Sequence, residues 1–416
     1  MSDKKPGNPI RRLALGMRDI HERHRGRHRP SGFGFTFADR IDYLDLEKWK
    51  AVTGGQTLWM RPEILRVIEN HGPENVEPRY ALIFNKDKPV AALAVQIVTV
   101  TGERLGKESG KENPKERDRF AGLLRRAVRE RILVAGNLIS WGFHGIAFAP
   151  GISQEELWPG VAEALYKIRR AERLVGQTDF VMIKDLTPEQ TGLESLRRFS
   201  YRPLETEPNM VLTIDPAWKN YEDYLGALDA KYRRNSKDQA KKLAGAGCSI
   251  ERLSDFDSHA GRLHELYLSV HDKASVRLVT LRETCIPELA RAAKDDFRCS
   301  VIRKDNQLLG FVTTLRDGET AIAWYIGFDR SAAAEGLPLY FRLLHTTIQD
   351  AIGWGCKRLS LGRTALEPKA AMGAKPEAMS VWMRHRVPAM NYLLRGLLGA
   401  VPHAQPPERN PFKKTS

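Results

Sequence analysis

"RYALIFNKDKPVAALAVQIVTV", residues 79–100, and "FRCSVIRKDNQLLGFVTTL", residues 297–315, decide the fold when they are set side by side. Each reads as an apolar strand, a turn around Lys-Asp (Lys86–Asp87 and Lys304–Asp305) and a second apolar strand, at an offset of 218 residues. Further along, "LISWGFHGIAF" (138–148) and "AIAWYIGFDRS" (321–331) align on Trp141 and Trp324 at an offset of 183. The 35 residues lost between the two offsets are assigned to a charged insertion at 101–135, present in the first half only. Each half then enters an amphipathic helix, with Val161, Leu165, Ile168 and Val175 on one face in the first and Tyr340, Leu344, Thr347, Ile348 and Ala351 in the second. A strand closes each unit, "TDFVMIKDL" and "KRLSLGRTAL". Four matches in the same order predict an internal duplication. The fold class is therefore α/β (α+β), in two tandem domains, each a mixed and mostly antiparallel sheet flanked by helices.

Working outward, residues 31–215 are the first domain and 216–400 the second, with a helix at 221–244 as the bridge between them. On that helix Tyr221, Tyr224, Leu225, Leu228, Tyr232, Gln239 and Leu243 share one side. Residues 1–30 read as a disordered basic tail, and 401–416 as a flexible, Pro-rich end behind a docking helix, "AMNYLLRGLLGAV". With 416 residues, 42% of them hydrophobic, there is apolar material for two cores. The net charge of +15 is concentrated: residues 1–30 carry +6, 103–131 carry +4 and 231–242 carry +5. Local anion affinity fits that distribution better than a broad nucleic-acid-coating surface. No run of apolar residues approaches a membrane span, and "IRRLALGMRD" is too short to be a secretory signal. The four cysteines have no CxxC spacing, which favours reduced, packed thiols and a cytoplasmic setting.

The helix reading "LDAKYRRNSKDQAKKLAGAGCSI" before the second copy, with Lys231, Arg233 and Asn235 in a K-x-R-x-N arrangement, resembles the Fem-type aminoacyl- and acyltransferases of the GNAT (acyl-CoA N-acyltransferase) superfamily. The resemblance spans roughly residues 33–395. "KAAMGA" (369–374) is similar to the Lys-x-x-aromatic-Gly segment of those enzymes, with Met372 in the aromatic's place. The resemblance implies tandem GNAT-like domains and transfer of an acyl group from acyl-CoA to a small-molecule or peptide amine. It implies, as an alternative, an aminoacyl-tRNA-dependent peptidyltransferase. An anionic donor is implied either way, with no metal.

GNAT enzymes bind the donor pyrophosphate on backbone amides where a helix starts, because orphan amides and the helix dipole favour phosphate. The second half offers "DRSAAAEGLPLY" there, so Arg330, Gly336 and Leu337 are the donor-binding candidates. The first-half counterpart, "APGISQEELWPG", has two acids and no basic residue. Lys231, Arg233 and Arg234 are candidates for an anionic substrate, because arginine's fork suits oxyanions; the plain alternative is a solvated helix face. In "GRTALEPKAAMGAKPE", which follows the predicted last core strand, Glu367 is a candidate proton acceptor and Lys369 a candidate for holding an anionic acceptor. Tyr325 is a candidate general acid, and otherwise a packed strand residue. His144, among the glycines of "SWGFHGIAFAPG", is a substrate-binding candidate and otherwise structural.

His21, His24 and His28 lack the second ligand cluster zinc requires. There is no P-loop and no nucleophile elbow. "RDRFAGLLRRAVRERILV" reads as a helix with Phe120, Leu123, Leu124, Val128, Ile132 and Leu133 on one face. It either packs on its own domain or lies on an anionic membrane surface. The rival from another class is a non-catalytic protein whose basic segments hold RNA or lipid.

Overall fold

The computed structural model describes residues 29–101, 129–274, 277–387, 390–391 and 409–413. The first half contributes β1 (Gly34–Ala38), α1 (Leu46–Thr53), α2 (Pro62–His71), β2 (Val76–Asn85), β3 (Lys88–Thr101), β4 (Arg129–Ala135), β5 (Ile146–Phe148), α3 (Gln154–Ala171), β6 (Phe180–Leu186) and β7 (Arg202–Thr213). The second half contributes α4 (Tyr221–Ala227), α5 (Ala230–Gly245), β8 (Cys248–Arg252), α6 (Ala260–His271), α7 (Cys285–Ala293), β9 (Phe297–Lys304), β10 (Gln307–Asp317) and β11 (Thr320–Phe328). It continues with α8 (Arg330–Ala334), α9 (Leu339–Gly353), β12 (Arg358–Ser360), α10 (Leu366–Ala371) and β13 (Lys375–His385).

The duplication is visible in the pairing. Asn85 pairs with Lys88 and Lys304 with Gln307, so each hairpin has a two-residue loop. The second loop is Asp305–Asn306, one position on from the expected Lys-Asp turn. The strands form one continuous sheet in the order β1-β2-β3-β4-β6-β13-β7-β12-β11-β10-β9-β8, with β5 beside β3. Its centre is an exchange. β7, which follows β6 in the chain, pairs with β12, while β13 crosses back to pair with β6. The two crossing strands pair antiparallel with each other from Val211 and Lys375 to Arg202 and Met383. Trp382 of β13 is thereby buried among first-half residues such as Leu196 and Tyr201. Another buried cluster runs without a break from Trp49 and Trp59 of the first half to Phe311 and Trp324 of the second.

Several expectations are corrected. Residues 129–135 are not part of an insertion: they are β4, paired with β3 and β6, so Ile132 and Leu133 lie on a strand. Phe120, Leu123, Leu124 and Val128, with the rest of 102–128, lie outside the described residues, as do the tail at 1–28 and most of the docking helix. Val175 lies past the end of α3 and is exposed. The bridging helix is two helices broken at Leu228, which is extended and pairs with Phe412. The strand expected at "KRLSLGRTAL" is only Arg358–Ser360, and it does not close the second half, since β13 follows it.

The Trp141–Trp324 alignment is also corrected. Register places Ala135 where the second half has Ala323, and Ile146 where it has Ile326. Residues 136–145 thus stand where β11 has only Trp324 and Tyr325, and they leave the sheet as an excursion. Its base is pinched: Gly136 N–H donates to Ala94 O (3.3 Å), and Ala94 N–H donates to Gly145 O (2.8 Å). A Cβ on Gly145 would lie 2.1 Å from Gly136 N, so only glycine fits there.

Candidate active site

β11 and β12 run parallel but pair only between Thr320–Ile322 and Arg358–Ser360. Beyond that they diverge, and a cavity of about 610 Å³ fills the wedge. A β-bulge opposite Thr313 shapes one wall. Thr313 Oγ1 accepts from Tyr325 N–H (3.0 Å) and donates to Tyr325 O (3.2 Å), satisfying backbone groups the bulge unpairs. The extra residue breaks the side-chain alternation, so the consecutive Trp324 and Tyr325 both line the cavity. Tyr267 of α6 stands edge-on to Tyr325 at 5.3 Å between ring centroids. Burial, with Tyr267 and Cys285 nearby, holds the Tyr325 hydroxyl well above its usual pKa, so it stays protonated.

The first half supplies the opposite wall through its excursion. Trp141 Nε1 donates to Ser360 Oγ (2.7 Å), and Trp324 Nε1 donates to Ile139 O (2.6 Å). The Trp141 ring lies against Gly362, where φ is +80° and a Cβ would approach the ring to 3.1 Å. Asn209 Oδ1 holds this turn by accepting from Ser360 Oγ (3.0 Å) and Gly362 N–H (3.1 Å). Behind it lies a buried charge cluster. Asp185, fully buried with φ +59°, accepts from Gly142 N–H (3.0 Å), Lys184 and Arg363. Lys184 Nζ also donates to Ser140 O (2.7 Å), and burial beside Arg363 holds its pKa well below the usual lysine value. Arg363, itself pushed down to about 10 by burial, lines the cavity.

Lys369 lines the cavity from α10 and is 3% exposed. The next residues, Ala370 and Met372, are buried against Met210 and Leu212, which fixes the helix and keeps the lysine inside. Burial lowers its pKa to about 7, against a weaker opposing effect of Glu207. Among the described residues no carboxylate lies within ion-pair distance of its ammonium.

The other expected site residues are dispersed. Glu367 is exposed and ion-paired with Arg409, and it does not line the cavity. His144 is half-buried in the seam between the halves, 2.9 Å from Thr57 Oγ1 through Nδ1 and 2.9 Å from Trp141 O through Nε2, so it supports the excursion. Lys231 and Arg234 are exposed, and Arg233 Nη1 donates to Leu228 O (3.1 Å) at the end of α4; none of the three lines the cavity. Arg330 is exposed on α8, and Leu337 packs against the cluster holding Leu243 and Leu339. At Gly336 a Cβ would lie 3.1 Å from Lys242 Nζ, so the far end of α5 meets the expected donor loop. Trp141, Asp185, Tyr267 and Arg363 were missed by sequence reasoning. For Arg363 a signal existed: it is the sole arginine of "GRTALEPKAAMGAKPE". For Asp185 none did.

All four cysteines are buried and free. Among the described residues no cluster of His, Cys, Asp or Glu is placed to hold a metal, and no helix is long and apolar enough to cross a membrane.

Residues 230–370 match the family model for the acetyltransferase (GNAT) domain. No curated protein matches the sequence. Among solved structures, FemX is similar with a TM-score of 0.48 and 11% identity, over 80% of this chain and 96% of that one. A tandem GNAT protein from the clavulanic acid biosynthesis pathway gives 0.46 and 12%, over 86% and 99%. The L-PGS of Bacillus licheniformis gives 0.44 and 10%, over 81% and 96%.

Proposed function

With a GNAT acetyltransferase domain at residues 230–370 as premise, we propose that the protein transfers an acyl group from acyl-CoA to an amine in the wedge between β11 and β12. The observation that carries this reading is a lysine buried in an aromatic cavity where two parallel strands part, with no carboxylate at ion-pair distance among the described residues, and burial pushes its pKa down to about 7. Lys369 takes a proton from the acceptor amine as its nitrogen attacks the thioester carbon. The C–S bond breaks and the departing thiolate takes a proton from Tyr325. The proton-accepting role first assigned to Glu367 passes to Lys369. The donor's phosphates lie toward Gly336 and the start of α9, where Lys242 adds positive charge. A cytoplasmic setting, where thiols stay reduced, fits the four free cysteines.

Acyl-CoA added to the protein should raise its melting temperature and, with an amine present, release free thiol. Lys369→Met should abolish thiol release while leaving the thermal response to acyl-CoA. No response to any acyl-CoA would sink the proposal. A second reading keeps the cavity but changes the donor. α5 presents Lys231, Arg234, Lys237, Lys241 and Lys242 to solvent, ending beside Gly336, which favours a larger polyanion such as aminoacyl-tRNA. Consumption of charged tRNA in place of acyl-CoA separates the two, whereas salt-sensitive RNA binding without turnover is the mark of a non-catalytic binder.

A further inference from the structure

We infer that the acceptor is a free amino acid with an aromatic or large aliphatic side chain, its carboxylate held by Arg363 and its α-amine presented to Lys369. This rests on the acyl-transfer reading above and names the substrate of that same site.

Three observations carry it. The first is the sign of the charge. Arg363 and Lys369 line the cavity and, among the described residues, no Asp or Glu does, so it accommodates an anion and has nothing to offer a polyamine or a lysine ammonium. The second is the free part of the Arg363 fork. Only Nη2 is engaged, by Asp185; Nε is buried without a partner, and no protein acceptor among the described residues takes the remaining donors. Asp185 therefore acts as a brace behind a guanidinium that still has donors to give. A carboxylate is the group such a fork suits.

The third observation is placement. Arg363 and Lys369 lie six positions apart on one loop-and-helix segment bordering one cavity. The residue that meets the acceptor's nitrogen and the one that meets its anion thus border the same cavity, which describes an amine and a carboxylate on the same small molecule. The remaining walls, with Trp141, Trp324 and Tyr267 among them, suit an apolar side chain.

The test uses direct binding, so that it does not depend on the donor. Trp141 and Trp324 border the cavity, and intrinsic fluorescence of the full chain is titrated with L-phenylalanine, 3-phenylpropanoate and phenethylamine. L-Phenylalanine and 3-phenylpropanoate should bind, with phenethylamine weaker by on the order of tenfold or more. Arg363→Gln should weaken the two carboxylates by a similar factor and leave phenethylamine unchanged. Arg363→Lys should recover part of the loss, which separates anion binding from a folding defect. Equal or tighter binding of phenethylamine, an Arg363→Gln profile identical to the wild type, or binding of none of the three probes overturns the inference. Amino-acid binding without any response to acyl-CoA would instead count against the acyl-transfer reading and leave the amino-acid site standing.

Discussion

Lys369 is where the chemistry and the stability of this protein pull against each other. Its folded pKa of about 7 lies below the unfolded value of about 10.4, so between those values the unfolded chain binds more protons. Stability therefore carries the full penalty below about pH 7 and recovers as pH rises toward 10. Lys369→Met, which keeps the bulk and removes the charge, should be more stable than the wild type by a few kcal/mol at pH 6–7 and indistinguishable near pH 10.5. Denaturant titrations at the two pH values check this. Activity should fall as pH drops through 7 in the wild type, because the protonated lysine cannot take a second proton. Asp185→Asn addresses the other end of the site. Removing a fully buried carboxylate from two cations should cost roughly 3–5 kcal/mol and weaken carboxylate binding through Arg363. Of these residues Lys369 stood out in the sequence, through the resemblance of "KAAMGA" to the Lys-x-x-aromatic-Gly segment and through its place after the strand expected at "KRLSLGRTAL". Asp185 did not, since its partner is 178 residues away and nothing local distinguishes it from a strand-end acid.

Among the elements, the excursion at 136–145 does the most for the least sequence. It replaces two residues of a strand, and its closed base leaves the hydrogen bonding of β3 almost undisturbed. Gly145→Ala forces a Cβ into the Gly136 backbone and should cost several kcal/mol by thermal melt, in the range of other severe backbone clashes. Trp141→Ala leaves the base intact. It should raise KM for the acceptor about tenfold or more, with a modest change in melting temperature, since it removes one wall of the cavity. Strand–turn–strand units were legible because alternating apolar runs and a two-residue turn are local signals. The excursion was read as strand because "SWGFHGIAF" has the composition of one, and only register against β3 reveals where the chain departs. The bulge at Thr313 was likewise hidden, as one extra residue leaves no mark on an apolar run.

At the scale of the whole molecule, the duplication was readable but the manner of joining was not, because pairing of β6 with β13 and of β7 with β12 involves strands about 150–200 residues apart with no sequence signature. Burial of Trp382 among first-half side chains means Trp382→Ala should destabilise the first half as well as the second, by about 3–5 kcal/mol. Chemical unfolding should then follow one transition, coincident by tryptophan fluorescence and far-ultraviolet circular dichroism. Two separated transitions would show that the crossing strands do not couple the halves. The crossing has an implication for ancestry. A lone copy of the unit, with its last strand reaching away from its own sheet, completes itself only by trading that strand with a twin. Fusing two such copies end to end turns an association that depended on dilution into a tether of fixed local concentration. The duplicated gene is then free to specialise one lobe as scaffold and the other as workshop.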